Sequence, residues 1–189
     1  MNTLEAIKTR KSVRTYLDKP VEPEKIKAIV EAGYMAAGTP MAGEVYFNAI
    51  SNKELLAQVS VGTKERMRKS GNPMLEKLGN NDAYDPIYGA PVAVVVSTDI
   101  DDKPLTQAMA TQNAACAAQN MLIAATELGL GSCYLVTPTM AFDILKIHDA
   151  AKLPILGAQA VCVVVFGYTN DTAPHKAYPD NPGNIEYVE

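Results

Sequence analysis

Along this chain, hydrophobic residues recur with helical spacing in some stretches and form continuous runs in others. The stretch from Pro23 to Gly38 has the helical spacing, because Ile26, Ile29 and Val30 share one face. Proline suits the first turn of a helix and glycine suits its C-terminal cap. The pattern therefore predicts one helix between these two residues.

Capping signals mark two further helix starts. Asn2 precedes a short amphipathic stretch, with Glu5 three residues later. The stretch "SNKELLAQV" likewise places Glu54 three residues after Ser51. Each pair predicts a capping box at the start of a helix, and the stretch "TPTMAFDILKIHD" predicts one more helix.

Four stretches predict strands. "APVAVVVST" and "AQAVCVVVFGY" are continuous runs typical of buried central strands, "VYFNAIS" alternates in part, and "SCYLV" is short. Residues 104–128 predict a long helix whose small residues, mainly alanine, wrap most of its circumference; such a helix is buried in a large core or against a partner chain. Strands interleaved with helices predict a single layered domain over residues 1–189, of the α+β or α/β class.

Two segments lack a clear period. Residues 61–89 contain glycines, prolines and polar runs, which predict short helices and loops that form either a lid or a plain surface excursion. The tail at residues 169–189 is rich in proline and is predicted to be extended. It either clasps a neighbouring subunit or frays, and "IEYVE" is a candidate edge strand.

Charge and cysteine content narrow the function classes. The formal net charge of −4 disfavours nucleic-acid binding, which needs a dominant basic face. No stretch reaches the roughly 18 apolar residues of a membrane span, so no membrane association is predicted. The three cysteines lie far apart in apolar contexts, which predicts buried reduced thiols, no metal site and a cytoplasmic location.

Against this acidic background, the stretch "TRKSVRTY" near the N-terminus is locally basic. Its polar residues are Thr9, Arg10, Lys11, Ser12, Arg14, Thr15 and Tyr16. One interpretation is that its cations stabilise the C-terminal end of the first helix through the helix dipole. The other is recognition of a small anion, because a guanidinium offers phosphate a rigid fork and serine adds a short donor. The stretch alone leaves both interpretations open.

Common nucleotide and hydrolase motifs are missing from the sequence. There is no GxxxxGK[ST] phosphate loop and no GxSxG, and neither His148 nor His175 lies in a hydrolase motif. "GLGSCY" supplies Gly129 and Gly131, but Tyr134 stands where a dinucleotide fingerprint has its third glycine. The glycines also follow a predicted helix and precede a strand, the reverse of the order that a Rossmann site requires.

Three segments, taken together, resemble the flavin-dependent nitroreductase family: "RKSVRTY", "QNAACAAQNMLIAATELGLGSCYLV", and "AVCVVVFGY" followed by a proline-rich basic tail. Their order and spacing match over nearly the whole chain. The resemblance implies an α+β sandwich with a central, mainly antiparallel sheet flanked by helices, in an intertwined homodimer with the alanine-rich helix at the interface. It also implies FMN between the subunits. The implied activity is ping-pong hydride transfer from NADH or NADPH to a small acceptor such as a nitroaromatic or a quinone.

The same resemblance implies roles for individual residues. Arg10 and Ser12 would hold the phosphate and ribityl end of FMN, with Lys11 either nearby or a surface neighbour. Arg14 would face the pyrimidine edge of the flavin, near N1 and the C2 oxygen. No side chain is implied as a catalytic acid or base, because the cofactor carries the redox chemistry.

Residues further along the chain complete the implied site. The backbone N–H groups of Val136 and Thr137 would face flavin N5 and its surroundings. His175 and Lys176, in the tail, would supply a second basic grip on the phosphate.

One loop departs from the family's pattern. Many members have a polar loop after the second helix that contacts the flavin, and the matching region here reads "AAGTPMAGEVYF". Thr39 and Pro40 keep part of this loop, whereas the residues from Met41 to Glu44 lack its usual Asn and Gln; Glu44 is expected to face solvent. The departure keeps a second hypothesis open, namely a flavin store, sensor or subunit without NAD(P)H-dependent reductase activity.

Overall fold

The computed structural model describes residues 2–99, 102–154, 158–172, 185 and 188, and these contain six α-helices, two 3-10 helices and one sheet. The α-helices are α1 (Thr3–Thr9), α2 (Pro23–Tyr34), α3 (Lys53–Arg68), α4 (Pro73–Gly79), α5 (Pro104–Glu127) and α6 (Leu145–Ala150). The 3-10 helices are Pro40–Ala42 and Thr137–Asp143. The strands are β1 (Val45–Ile50), β2 (Val92–Asp99), β3 (Gly131–Leu135) and β4 (Ala158–Gly167).

The four strands pair in the order β1-β2-β4-β3, and each neighbouring pair is antiparallel. Outside these strands, Ser12 forms one isolated parallel bridge with Ser132 of β3. The predicted α+β class with a mainly antiparallel central sheet is therefore confirmed.

Two hydrophobic cores lie on opposite faces of this sheet. Helices α2 and α5 cover one face, where Ile29 and Met121 are fully buried. Helices α3 and α6 cover the other face through Val59 and Ile147. The continuous apolar run of β2 is buried along Val92–Thr98, as its sequence predicted, because both faces of a central strand are covered.

The predicted capping box of α1 is present. The backbone N–H of Glu5 donates to the Asn2 side chain at 3.0 Å, and the Asn2 N–H donates back to the Glu5 carboxylate at 3.1 Å. Helix α5 also matches its predicted range, beginning at Pro104 and ending at Glu127. These elements are set by local signals, so the sequence alone predicts them well.

Two predicted helix ends were wrong. Helix α2 ends at Tyr34, four residues before Gly38, because the chain leaves the helix and brings Gly38 against the side chain of Asn113. At the start of α3 the cap is Asn52 rather than Ser51, since the Asn52 side chain accepts the Leu55 N–H at 2.9 Å.

The prediction for residues 61–89 was wrong in its first part. Helix α3 continues to Arg68, and α4 occupies Pro73–Gly79. Val59, Thr63 and Met67 form a fully buried stripe at four-residue spacing, which tertiary packing stabilises despite the surrounding charged residues. The stretch predicted as one helix after β3 is instead a 3-10 helix and α6, with Ile144 extended at ψ 107° between them.

The cysteine prediction was correct for two of three residues. Cys133 and Cys162 are buried, but Cys116 is exposed on α5 in the single chain, and all three are free thiols. Most of the tail, including most of "IEYVE", lies outside the described residues.

Candidate functional site

The segment that follows α1 runs along the edge of β3. Ser12 bridges to Ser132 in parallel, and the Val13 N–H donates to the Ser132 carbonyl at 2.9 Å. Gly131 permits this approach, because a Cβ there would lie 2.9 Å from both methyl carbons of Val13. Hydrogen bonding and close packing thus fix the basic segment against the sheet.

The two glycines of "GLGSCY" have structural roles. Gly129 adopts φ 75°, and the next N–H, of Leu130, donates to the Ala125 carbonyl at 2.8 Å while the Gly129 N–H donates to Thr126. This is a Schellman motif that ends α5. Gly131 then begins β3 where the basic segment docks, so neither glycine belongs to a dinucleotide-binding turn.

Three groups of the basic segment influence the thiol of Cys133, a buried residue of β3. Burial raises the pKa of this thiol, and Arg14, the Ser12 hydroxyl and Arg10 each offset part of the rise. The bridge between Ser12 and Ser132 places the segment that carries these groups beside this part of β3. Among the described residues, neither guanidinium forms an ion pair with a carboxylate. Two such guanidiniums beside an exposed serine can bind a small anion.

Lys11 differs from its neighbours because its charge is paired. Its Nζ lies 2.8 Å from the Asp171 carboxylate. Thr169 adds a hydrogen bond from its hydroxyl to the Thr15 carbonyl at 2.8 Å. These contacts hold the chain after β4 against the basic segment, so Lys11 anchors the site's surroundings. His175 and Lys176 follow in the tail but lie outside the described residues.

Val136 and Thr137 come at the C-terminal end of β3. The Val136 carbonyl accepts both the N–H (3.0 Å) and the hydroxyl (2.8 Å) of Thr139, which fixes the turn into the 3-10 helix. Val136 is 57% exposed, so its surroundings are open to a ligand. Thr137 is the first residue of the 3-10 helix, where a backbone N–H has no partner within the helix.

Two tyrosines connect Arg14 with Thr137. The Arg14 guanidinium carbon lies 5.9 Å from the centroid of the Tyr88 ring, within the range of a cation–π contact. The rings of Tyr84 and Tyr88 meet edge to face, with centroids 6.3 Å apart at 84°. Burial raises the pKa of Tyr84, and the neighbouring Thr137 hydroxyl offsets part of the rise. Sequence reasoning missed this pair; the only signal was the spacing of two tyrosines around Asp-Pro in "YDPIY".

Thr39 and Pro40 lie in a different place. The Asn113 side chain accepts the Thr39 N–H and donates to the Thr39 carbonyl, both at 3.0 Å, which pins the loop to α5. The loop lines a cavity of about 320 Å³ between α2, β1 and α5. Tyr88 packs with the core on the opposite face of the sheet. One chain therefore does not bring Thr39 and Pro40 together with Arg14.

The end of the same loop confirms the expectation for Glu44. Its side chain is exposed, while its backbone N–H donates to the Asp99 carboxylate at 2.9 Å. The loop is thus fixed at both ends, by Asn113 and by Asp99.

Comparisons with known proteins identify the family and the fold. The sequence model of the Nitroreductase family matches residues 7–168. A crystal structure of a nitroreductase with bound FMN from Bacteroides fragilis is 29% identical, covers 100% of both chains and has a TM-score of 0.86. Another nitroreductase with bound FMN, from Desulfitobacterium hafniense, is 25% identical with the same coverage and a TM-score of 0.82.

A curated protein of Methanothermobacter thermautotrophicus, named "Putative NADH dehydrogenase/NAD(P)H nitroreductase", is 31% identical over 135 residues. The matched part is 71% of this chain and 60% of that protein, so this chain spans less than two thirds of that relative's length.

Proposed function

Because this chain belongs to the nitroreductase family, we propose that it is an FMN-dependent oxidoreductase that takes hydride from NADH or NADPH and reduces a small acceptor. Nitroaromatics and quinones are the acceptor classes we propose. The observation that carries the proposal is that Arg10, Ser12 and Arg14 stand on one short segment fixed along β3, with no described carboxylate paired to either guanidinium. The two FMN-bound relatives at 29% and 25% identity support the choice of cofactor.

The donor set at β3 fits the chemistry of FMN. A phosphate needs donors that carry positive charge, and a guanidinium offers it two parallel N–H groups while a serine hydroxyl adds another donor. We assign Arg10 and Ser12 to the phosphate and ribityl end, and Arg14 to the pyrimidine edge. We assign His175 and Lys176 to a second basic contact with the phosphate.

Residues of this chain bind and orient the reactants. When bound, FMN supplies the two-electron redox chemistry that side chains cannot provide. Arg14 would supply a fixed positive charge to the pyrimidine edge of the flavin, and a preorganised charge of this kind stabilises negative charge. Val136 and Thr137 present backbone N–H groups that orient the ring. No side chain needs to act as acid or base, and NAD(P)H and the acceptor occupy one site in turn, which gives ping-pong kinetics.

A second copy of the chain is part of this proposal. Thr39 and Pro40 lie on the opposite face of the sheet from Tyr88, so they reach an FMN held by Arg14 only from another copy. Helix α5 presents exposed small and apolar residues, including Leu105 at 68% exposure and Cys116. A face of this composition is typical of a buried interface. We therefore propose a homodimer with α5 at the interface.

We also propose a cytoplasmic location. The three cysteines are free, which fits a reducing compartment. Within the described ranges, no helix combines the length and the apolar character needed to cross a bilayer.

Rapid anaerobic mixing tests the proposed reaction. Protein loaded with FMN is mixed with NADH or NADPH, and the visible flavin absorption is followed. We expect bleaching within seconds, and parallel double-reciprocal plots in steady state with a quinone acceptor. Bound flavin that stays yellow would favour the store or sensor hypothesis raised by the altered loop. Protein that takes up no FMN would overturn the cofactor assignment.

A further inference from the structure

The turn that carries Tyr88 has an unfavourable backbone conformation. Tyr88 adopts φ 57° and Gly89 follows at φ 67°, so two successive residues lie in the left-handed region. Glycine accepts this region freely, but a bulky residue such as tyrosine is a conformational outlier there. An outlier of this kind persists only where surrounding contacts determine it, and such residues cluster at functional sites.

The carboxylate of Asp85 holds the turn. It accepts the backbone N–H of Ile87 at 3.1 Å and that of Gly89 at 2.7 Å. It also accepts the Ser60 hydroxyl at 2.7 Å, which ties the turn to α3. Three hydrogen bonds to one carboxylate thus fix the position from which the Tyr88 ring projects.

The fixed ring meets an exposed cation of the site. Arg14 is exposed and, within the described residues, has no carboxylate partner, so its long side chain has several rotamers available. The Tyr88 ring contacts its guanidinium at 5.9 Å, and Tyr84 supports that ring edge to face. Tyr84 in turn lies beside Thr137.

We propose that Tyr88, held by the Asp85 turn, is a positioning residue that orients Arg14 toward the flavin pyrimidine edge. This inference rests on the proposed function. It gives part of the segment 61–89 a defined role, because Tyr88 contacts Arg14 and Tyr84 lies beside Thr137. A guanidinium already oriented before charge develops stabilises that charge without having to reorganise.

Two substitutions at position 88 separate the ring from the backbone. Tyr88→Asn removes the ring, while asparagine tolerates the left-handed region. Tyr88→Phe keeps the ring and serves as the matched control. The readout is the midpoint potential of bound FMN, measured beside its dissociation constant in the oxidised state.

We expect Tyr88→Asn to lower the preference for reduced over oxidised FMN by about threefold, which is about 14 mV for a two-electron couple. Tyr88→Phe should keep the wild-type potential. The double variant Arg14→Ala/Tyr88→Asn should match Arg14→Ala alone, because Tyr88 acts through Arg14. An unchanged potential in Tyr88→Asn, or effects of the two substitutions that simply add, would overturn the proposal.

NMR of the FMN-free protein gives a readout that needs no cofactor. The ring current of Tyr88 should displace the Arg14 side-chain N–H signal in wild type and in Tyr88→Phe, and the displacement should vanish in Tyr88→Asn. A signal at the ordinary arginine position in wild type would overturn the positioning role. If the wild-type protein does not bind FMN, the proposed function fails, while the NMR result still decides whether Tyr88 orients Arg14.

Discussion

Two segments of this chain leave the end of a helix and are then fixed by tertiary contacts, yet they differ in charge. The segment 10–16 docks on β3 and carries two guanidiniums that have no carboxylate partner in the described ranges. The loop 35–44 docks on α5 through the uncharged side chain of Asn113. The first is suited to an anion and the second to neutral contacts. Segment 10–16 lies along the β3 edge, whereas loop 35–44 lies on the face of the sheet opposite Tyr88. We therefore propose that one chain holds halves of two different sites.

Removing a cation from segment 10–16 should cause the largest loss of FMN affinity among the changes proposed for these two segments. Arg10→Ala should weaken FMN affinity about tenfold to a hundredfold, because a hydrogen bond to a charged group contributes about 1.5–3 kcal/mol. Equilibrium dialysis measures the change. Lys8→Ala, on the exposed face of α1, is the matched control and should retain wild-type affinity. Lys11→Ala should fall between them, since Asp171 already neutralises Lys11. Wild-type affinity in Arg10→Ala would mean that Arg10 only stabilises the C-terminal end of α1 and does not bind FMN.

Displacing segment 10–16 from the sheet should have the second-largest effect. Gly131→Ala places a methyl against Val13 and Thr169, and overpacking of this kind costs about 1–3 kcal/mol. Thermal unfolding should show a midpoint several degrees lower, with weaker FMN retention. The double variant Gly131→Ala/Val13→Ala should lose less stability than the sum of the two single-variant losses, because the Val13 methyl groups that clash with the added methyl are gone. Strict additivity would contradict the docking contact.

Helices and strands elsewhere in the chain show which features the sequence can predict and which it cannot. The capping box of Asn2 and Glu5 and the buried run of β2 depend on local pattern, so the sequence predicts them. The continuation of the buried α3 stripe through Thr63 and Met67 was missed, because the charged residues between them hide its period.

Site residues divide in the same way. Arg10, Ser12 and Arg14 stand in one short stretch, so their proximity could be predicted. The ion pair of Lys11 with Asp171 joins positions 160 apart, and no local pattern encodes such a contact. The Tyr88 contact with Arg14 likewise depends on tertiary structure, so no pattern near either residue indicated it.

Freeing the loop 35–44 should have a smaller effect than displacing segment 10–16. Asn113→Leu removes both hydrogen bonds to Thr39, each contributing about 1 kcal/mol. Hydrogen exchange at the Thr39 amide should accelerate about tenfold, and FMN affinity should fall by several-fold. Asn113→Asp keeps an acceptor for the Thr39 N–H and should exchange at an intermediate rate. Equal exchange in all three proteins would mean that Asn113 does not hold the loop.

The smallest expected effect concerns pH. The Tyr168 hydroxyl donates to Glu22 at 2.7 Å and holds the pKa of that carboxyl below its usual range. A lowered folded pKa stabilises the fold above the unfolded pKa, and this contribution is lost as pH falls through the folded value. Glu22→Gln should therefore lower the thermal midpoint slightly at pH 7 and by less at about pH 3. Glu24→Gln, on the same helical turn, is the control. A Glu22→Gln effect that is equal at both pH values would contradict this account.

Complementation between two defective chains tests the central claim most directly. Arg10→Ala and Asn113→Leu chains are unfolded, mixed in equal amounts and refolded together. FMN binding is then titrated, and the fraction of sites that bind with wild-type affinity is separated from the fraction that binds more weakly. If each site combines segment 10–16 of one copy with loop 35–44 of the other, half the dimers are mixed and each has one intact site. About a quarter of all sites should then bind FMN with wild-type affinity. Recovery of no sites would contradict the shared site, because it would place both segments of each site on one chain.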